Sequence, residues 1–179
     1  MAKKIVVLDA GHGGKSAGAV NGKYYEKTAA LAIAKKVGAK LKERGFEVRY
    51  TRTKDVYFTL AERCRMANKW NADAFVSIHL NAAANKEAHG AETWRYEKVG
   101  AHTRKLADNV QAELVGVTGA KNRGVKTTTA FYVLKHTKMS ALLVECGFIS
   151  NDEECAKLFD GKYQDKIAEG IARGVAMSF

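Results

Sequence analysis

Proline is absent from all 179 residues, against an average near 5%. With no proline and no glycine- and serine-rich stretch, nothing marks an internal linker, and the length suits one folding unit of about 100–200 residues. Cysteine is scarce and odd in number: Cys64, Cys146 and Cys155. Three thiols without zinc-finger spacing exclude a disulfide-stapled scaffold and suit a reducing place of synthesis. Long apolar runs are missing too. The longest near the N-terminus, Ile5–Leu8, stops at Asp9, too short for a signal-peptide core or a membrane span. A cytoplasmic origin and no membrane partner are therefore expected. Acidic residues are in deficit, 19 against 30 Lys and Arg, for a net charge of +11. Such a surface favours anionic partners: nucleic acid, anionic lipid or an acidic wall polymer. At 46% hydrophobic and 27% charged, the composition is that of a globular domain and not of a disordered chain.

What is present alternates between strand and helix signals. Lys3–Asp9 is a β-branched apolar run followed by a glycine-rich loop, Ala10–Gly22. Ala30, Ile33, Ala34, Val37 and Leu41 recur at helical spacing before Gly45, which predicts an amphipathic helix over 26–44. Phe46–Arg52, Asp73–Leu80, Ala91–Glu97, Ala130–Lys135 and Ala141–Glu145 read as further strands. Lys121–Lys126 reads as a basic loop, and Thr59–Glu62 and Ser150–Glu153 as capping boxes opening helices. The expected fold is a single α/β domain over 1–179. Its mostly parallel, twisted sheet of about six strands carries helices on both faces. Ligands of such sheets bind beyond the carboxyl ends of the strands.

Those ends carry His12 in the loop after the first strand, His79 closing the third, and Glu145 closing the sixth. Glu26 stands at the mouth of the first helix. Two imidazoles and a carboxylate with an open position form a hydrolytic zinc set, and a second carboxylate can take a proton from the water. Each residue also has an ordinary structural reading. A glycine-loop histidine can line an anion site, a strand-end histidine can be a hydrogen-bonded core residue, and a first-turn glutamate suits the helix dipole. Glu145 is hardest to explain that way, because a carboxylate directly after Leu142, Leu143 and Val144 is costly inside a covered sheet unless partnered. Cys146 should face away from it, since neighbours on a strand point to opposite faces. Gly14-Lys15-Ser16 ends like a phosphate-binding loop, but the first glycine of that pattern is replaced by Asp9, whose charge repels phosphate. Asp9 is better placed to accept the free ring N–H of a metal-bound histidine. Asn81 is a candidate substrate contact, and His136 a candidate rim residue.

Taken in order, VVLDAGHGG (6–14), Glu26, TR (51–52) with Asp55, Leu60, Arg63 and Asn68, ADAFVSIHLNAA (72–83), GAETW (90–94) and LLVECGFISN (142–151) resemble the zinc-dependent N-acetylmuramoyl-L-alanine amidases of the third amidase type. The resemblance covers nearly the whole chain. It implies zinc (Zn2+) held by His12, Glu26 and His79, Glu145 as the catalytic carboxylate, and peptidoglycan as substrate, with cleavage between N-acetylmuramic acid and L-alanine. A proline usual in that family before the last central strand is missing near Ser140. Without an export signal, the pattern looks most like the catalytic domain of a bacteriophage endolysin of clostridial type. Such an enzyme is made in the host cytoplasm, acts on the wall, and is often joined to a C-terminal wall-binding domain, which would lie outside these residues.

Two other readings stay open from sequence. A basic nucleic-acid module would use the charge and the cluster Lys121, Arg123 and Lys126, but no recognised motif or stacking platform accompanies them. Another zinc peptidase on a similar scaffold would use the same ligands.

Overall fold

The computed structural model describes residues 2–179. The elements run β1 (Ile5–Ala10), β2 (Val20–Asn21), β3 (Tyr24–Tyr25), α1 (Glu26–Glu43), β4 (Glu47–Tyr50), α2 (Leu60–Lys69) and β5 (Ala74–Asn81). They continue with β6 (Ala91–Tyr96), α3 (Ala101–Thr118), β7 (Asn122–Thr128), α4 (Tyr132–His136), β8 (Ser140–Phe148), α5 (Asp152–Leu158) and α6 (Gly161–Ala176). One six-stranded sheet has the order β4-β1-β5-β8-β6-β7, and β2 and β3 form a separate small hairpin. All pairs in the large sheet are parallel except β6 with β8. The expected mostly parallel α/β architecture is present.

Side-chain alternation sends the two sides of the sheet into two cores. Val6, Leu8, Val76, Ile78, Leu142, Val144 and Cys146 pack with Ile33, Leu41, Leu106, Val110, Ile167 and Ile171 of α1, α3 and α6. Val7, Phe75, Ala141 and Leu143 pack on the opposite side with Cys64 and Ala67 of α2 and Val133 and Leu134 of α4. Burying a side chain of this size stabilises the fold by about 1.5–3 kcal/mol. The second core is the smaller, and beside it Asp9, His79 and Glu145, from the carboxyl-terminal halves of β1, β5 and β8, line a cavity.

Helix α3 meets α6 closely enough that a Cβ on Gly174 would strike the backbone of Val110; only glycine allows that approach. Thr59 and Glu62 form a complete capping box at α2. The cap of α5 is Asn151, whose side chain accepts from Glu154 N, one residue after the expected Ser150.

Two expected elements differ. The stretch expected as a strand over 130–135 instead leads into the short helix α4 (Tyr132–His136), because five residues are too few to show a helical period and Val133-Leu134 mimics a buried strand. The basic stretch from Lys121 is the edge strand β7 instead of a loop. Edge strands carry charged side chains that discourage pairing with other chains, and that charge hides the strand signal.

Candidate active site and metal centre

The glycine-rich loop leaves β1 with His12 at φ 59, a left-handed conformation uncommon for a residue with a side chain and found where a site holds it. Two arginines brace this turn. Arg52 donates to the carbonyls of Ala10 and Gly11, and Arg63 donates to those of Ala10 and His12. The loop then brings His12 against Glu26, with Nε2 3.2 Å from Oε2. Gly18 makes room for the pair: its φ is 71, and a Cβ there would collide with both Glu26 and His12.

Glu26 opens α1 fully buried among polar groups. Its carboxylate accepts from Ala19 N and Leu80 N, at 2.8 and 3.1 Å, and its Oε1 lies 2.9 Å from His79 Nδ1. Burial alone would raise its pKa, but the hydrogen bonds and charge of His12 and His79 outweigh burial and hold the carboxyl well below the usual range. Burial likewise opposes protonation of His79, and the carboxylates of Glu26 and Glu145 raise its pKa despite that. The ligand atoms of His12, Glu26 and His79 all lie within 4.8 Å of one another. Two imidazole nitrogens and one carboxylate oxygen at that spacing fit a zinc ion, with space left for a further ligand. These are three sequence-distant residues brought to one point by β1, α1 and β5.

Glu145 lies across the ladder from His79, in register on β8. Cys146 turns into the opposite core, where burial raises its thiol pKa and keeps it from acting as a nucleophile. Among the described residues, Glu145 Oε2 is the one enclosed side-chain oxygen or nitrogen with no hydrogen-bond partner. Burial pushes the Glu145 pKa up to about 7; the charge of His79 opposes that, and those of Glu26 and Glu92 reinforce it. Glu145, His12 and His79 line one cavity of about 450 Å³, whose other walls include Tyr57, Phe58, Leu60, Phe131 and Tyr132.

Asp9 stands apart from the histidines, contrary to expectation. Its buried carboxylate accepts from Thr51 Oγ1, Ser77 Oγ and Arg63, at 2.6, 2.6 and 2.8 Å. Burial raises its pKa, but Arg63 and the two hydroxyls more than reverse this. The residue that orients His12 is Ser16, with Oγ 2.9 Å from Nδ1, so the supposed phosphate-loop serine serves the imidazole. Asp9 is occupied because it faces the sheet interior, where Arg63 reaches it first. The Asn81 amide donates to Glu92 and its carbonyl accepts from Ala82 N. His136 is exposed, stacked on Tyr132, and is not part of the cavity wall.

Two consequences are measurable. Arg63→Ala leaves Asp9 buried without its cation, and removing one partner of such a pair costs about 3–5 kcal/mol, which urea denaturation will read. Ser16→Ala frees the His12 ring; loss of such an outer partner weakens metal binding by about 10–100-fold, visible in competition with a chelator of known affinity.

The family of N-acetylmuramoyl-L-alanine amidases matches residues 6–177. The chain belongs to that family. The amidase LytC of Bacillus subtilis strain 168 is 39% identical over 173 residues, covering 96% of this chain and 34% of LytC. The endolysin of Bacillus phage SPP1 is 40% identical over 179 residues, covering 97% of this chain and 65% of the endolysin. The crystal structure of an N-acetylmuramoyl-L-alanine amidase from Clostridium difficile 630 superposes with a TM-score of 0.92 at 40% identity, over 97% of this chain and 95% of that one. The chain thus spans about a third of LytC and just under two thirds of the phage endolysin. A bacterial amidase and a phage endolysin match over nearly the same share, so the likeness follows the catalytic fold and not the source. Among the described residues, no helix is long and apolar enough to cross a membrane.

Sequence reasoning missed Glu92, the buried carboxylate of GAETW. The signal was available, since it is an acidic residue inside a strand, as Glu145 is.

Proposed function

We propose that the chain is a zinc-dependent peptidoglycan amidase that hydrolyses the amide joining the lactyl group of N-acetylmuramic acid to L-alanine. His12, Glu26 and His79 would hold the zinc. The observation that carries the reading is the unpartnered, enclosed Oε2 of Glu145 beside that triad. A buried carboxylate oxygen without a donor is costly, and a catalytic base awaiting a water proton accounts for it.

Zinc at such a site lowers the pKa of water from 15.7 toward about 7 and polarises a carbonyl oxygen. Glu145 accepts the water proton as the water oxygen adds to the amide carbon. It then delivers that proton to the alanine nitrogen as the C–N bond breaks. A group with a pKa near the working pH serves both transfers, since it can take and release a proton without a large penalty either way. Glu26, kept ionised by its partners, fixes the two imidazoles. Ser16 and Arg63 hold His12 in place. Tyr57, Phe58, Leu60 and Phe131 add apolar lining to the cavity, and apolar surroundings strengthen the charge interactions inside it.

The test is incubation of purified peptidoglycan with the zinc-loaded protein. Release of peptides with a new N-terminal L-alanine, and of glycan with free lactyl carboxyls, supports the reading. New termini elsewhere in the peptide would point instead to another zinc peptidase. The +11 charge suits the anionic wall, so attachment to walls should weaken as salt screens it.

A further inference from the structure

The register of three strands sets one row of ionisable side chains across the sheet: His79 on β5, Glu145 on β8 and Glu92 on β6. Glu92 is 2% exposed. It accepts from Asn81 and Trp94, at 3.0 Å each, and from Arg123 and Lys126 of the edge strand β7, at 2.8 and 2.5 Å. Burial alone would raise its pKa, but the two cations and the Trp94 N–H hold it lowered and therefore charged. Two cations on one carboxylate leave one positive charge unmatched.

That surplus is held in a fixed, reachable place. The Arg123 guanidinium lies over the Phe148 ring at 4.7 Å, and the Lys126 ammonium over Trp94 at 5.3 Å. The side chains remain 28% and 34% exposed, and among the described residues Arg123 Nη2 makes no hydrogen bond. Trp94 in turn packs on Phe131, with ring centroids 5.3 Å apart, and Phe131 lines the cavity. Both cations meet Glu92, which stands directly opposite Glu145 in the β6–β8 ladder. The cations therefore stand next to the reaction centre, on the β6–β7 side of Glu145.

We propose that Arg123 and Lys126 form a subsite for a substrate carboxylate, and that it reads the α-carboxylate of the stem-peptide residue following L-alanine. The proposal rests on the amidase reading and assigns the direction in which substrate lies across the site. In peptidoglycan that second residue is a glutamate joined through its side chain, which leaves its α-carboxylate free unless it is amidated. Two residues of extended chain span about 7 Å, and β7 lies two strand spacings from β8, roughly 10 Å. With the amide above Glu145, the carboxylate falls in reach of the long Arg123 and Lys126 side chains. The sugar then lies toward the aromatic wall.

A role limited to neutralising Glu92 would not discriminate between substrates, so the test compares two muropeptides of equal length. One carries the free α-carboxylate at the second residue and the other its carboxamide. The wild type should prefer the acid by about fivefold in kcat/KM, the worth of a half-exposed charge pair. Lys126→Met, which leaves Arg123 on Glu92, should bring that ratio to about one, and Lys126→Glu should invert it. Arg123→Gln, read by the same ratio, serves if Lys126→Met melts early. Equal rates in the wild type, or a preference that Lys126→Met and Arg123→Gln both retain, would overturn the subsite. Failure of the wild type to cut either muropeptide at the muramoyl amide would instead sink the amidase reading and the subsite with it.

Discussion

Glu145→Gln lowers kcat/KM on peptidoglycan by about a thousandfold, within the range for loss of a positioned acid–base group, while the protein still binds one zinc per chain. The amide keeps the shape of the side chain and removes its ability to accept a proton. The same variant alters the pH dependence of stability in the metal-free protein. Glu145 carries a folded-state pKa of about 7 against an ordinary value of 4.5, so between those values the folded chain binds more protons than the unfolded one. Stability from this group is fully present below about 4.5 and is lost as pH rises through about 7, a loss of at most roughly 3 kcal/mol. Chemical denaturation across that window should therefore show the metal-free wild type weakening with pH and Glu145→Gln changing less. Preserved turnover in this variant would remove Glu145 from the chemistry.

Metal is the second large effect. Glu26 stands between the two histidines and is their only shared partner within the triad. Glu26→Ala should reduce zinc to less than about a tenth of an equivalent per chain by atomic absorption, since two imidazoles alone hold zinc far more weakly than the usual three protein ligands. In the wild type, chelation should abolish amide hydrolysis and zinc should restore it. Binding also stabilises the fold. At zinc a thousandfold above its dissociation constant the gain is about 4.1 kcal/mol, which for a domain of this length raises Tm by about 10 °C. Glu26→Ala should show no such rise. A zinc-independent Tm in the wild type, or full activity in chelator, would contradict the metal centre.

The order of apolar runs and helical repeats was enough to read an α/β domain with its sheet covered on both sides. The termini of the long elements were legible for the same local reasons: Gly45 after α1, and the Thr59–Glu62 box at α2. Elements whose local signal was weak were misread. The five residues of α4 are too short to display a period, and the charges of β7 conceal an edge strand. For the site, the rule that α/β ligands gather past strand ends points to His12, His79 and Glu145, and Glu26 opens the helix that follows the loop of His12. Alternation along β8 was likewise enough to turn Cys146 away from Glu145.

The sequence by itself determined the class of fold and which side chains stand at strand ends, because both follow from periodicities of two and 3.6 residues along the chain. Only the tertiary structure decided which partner each polar group would find. Asp9 goes to Arg63, Thr51 and Ser77 instead of a histidine, Ser16 takes His12, Asn81 turns to Glu92, and Glu145 Oε2 is left unpaired. Those choices depend on sheet register and on arginines reaching across 42 and 54 positions of sequence, from Arg52 to Ala10 and from Arg63 to Asp9. Hydrogen bonds and charge pairs act over a few ångströms, and such distances are set by packing and not by order along the chain.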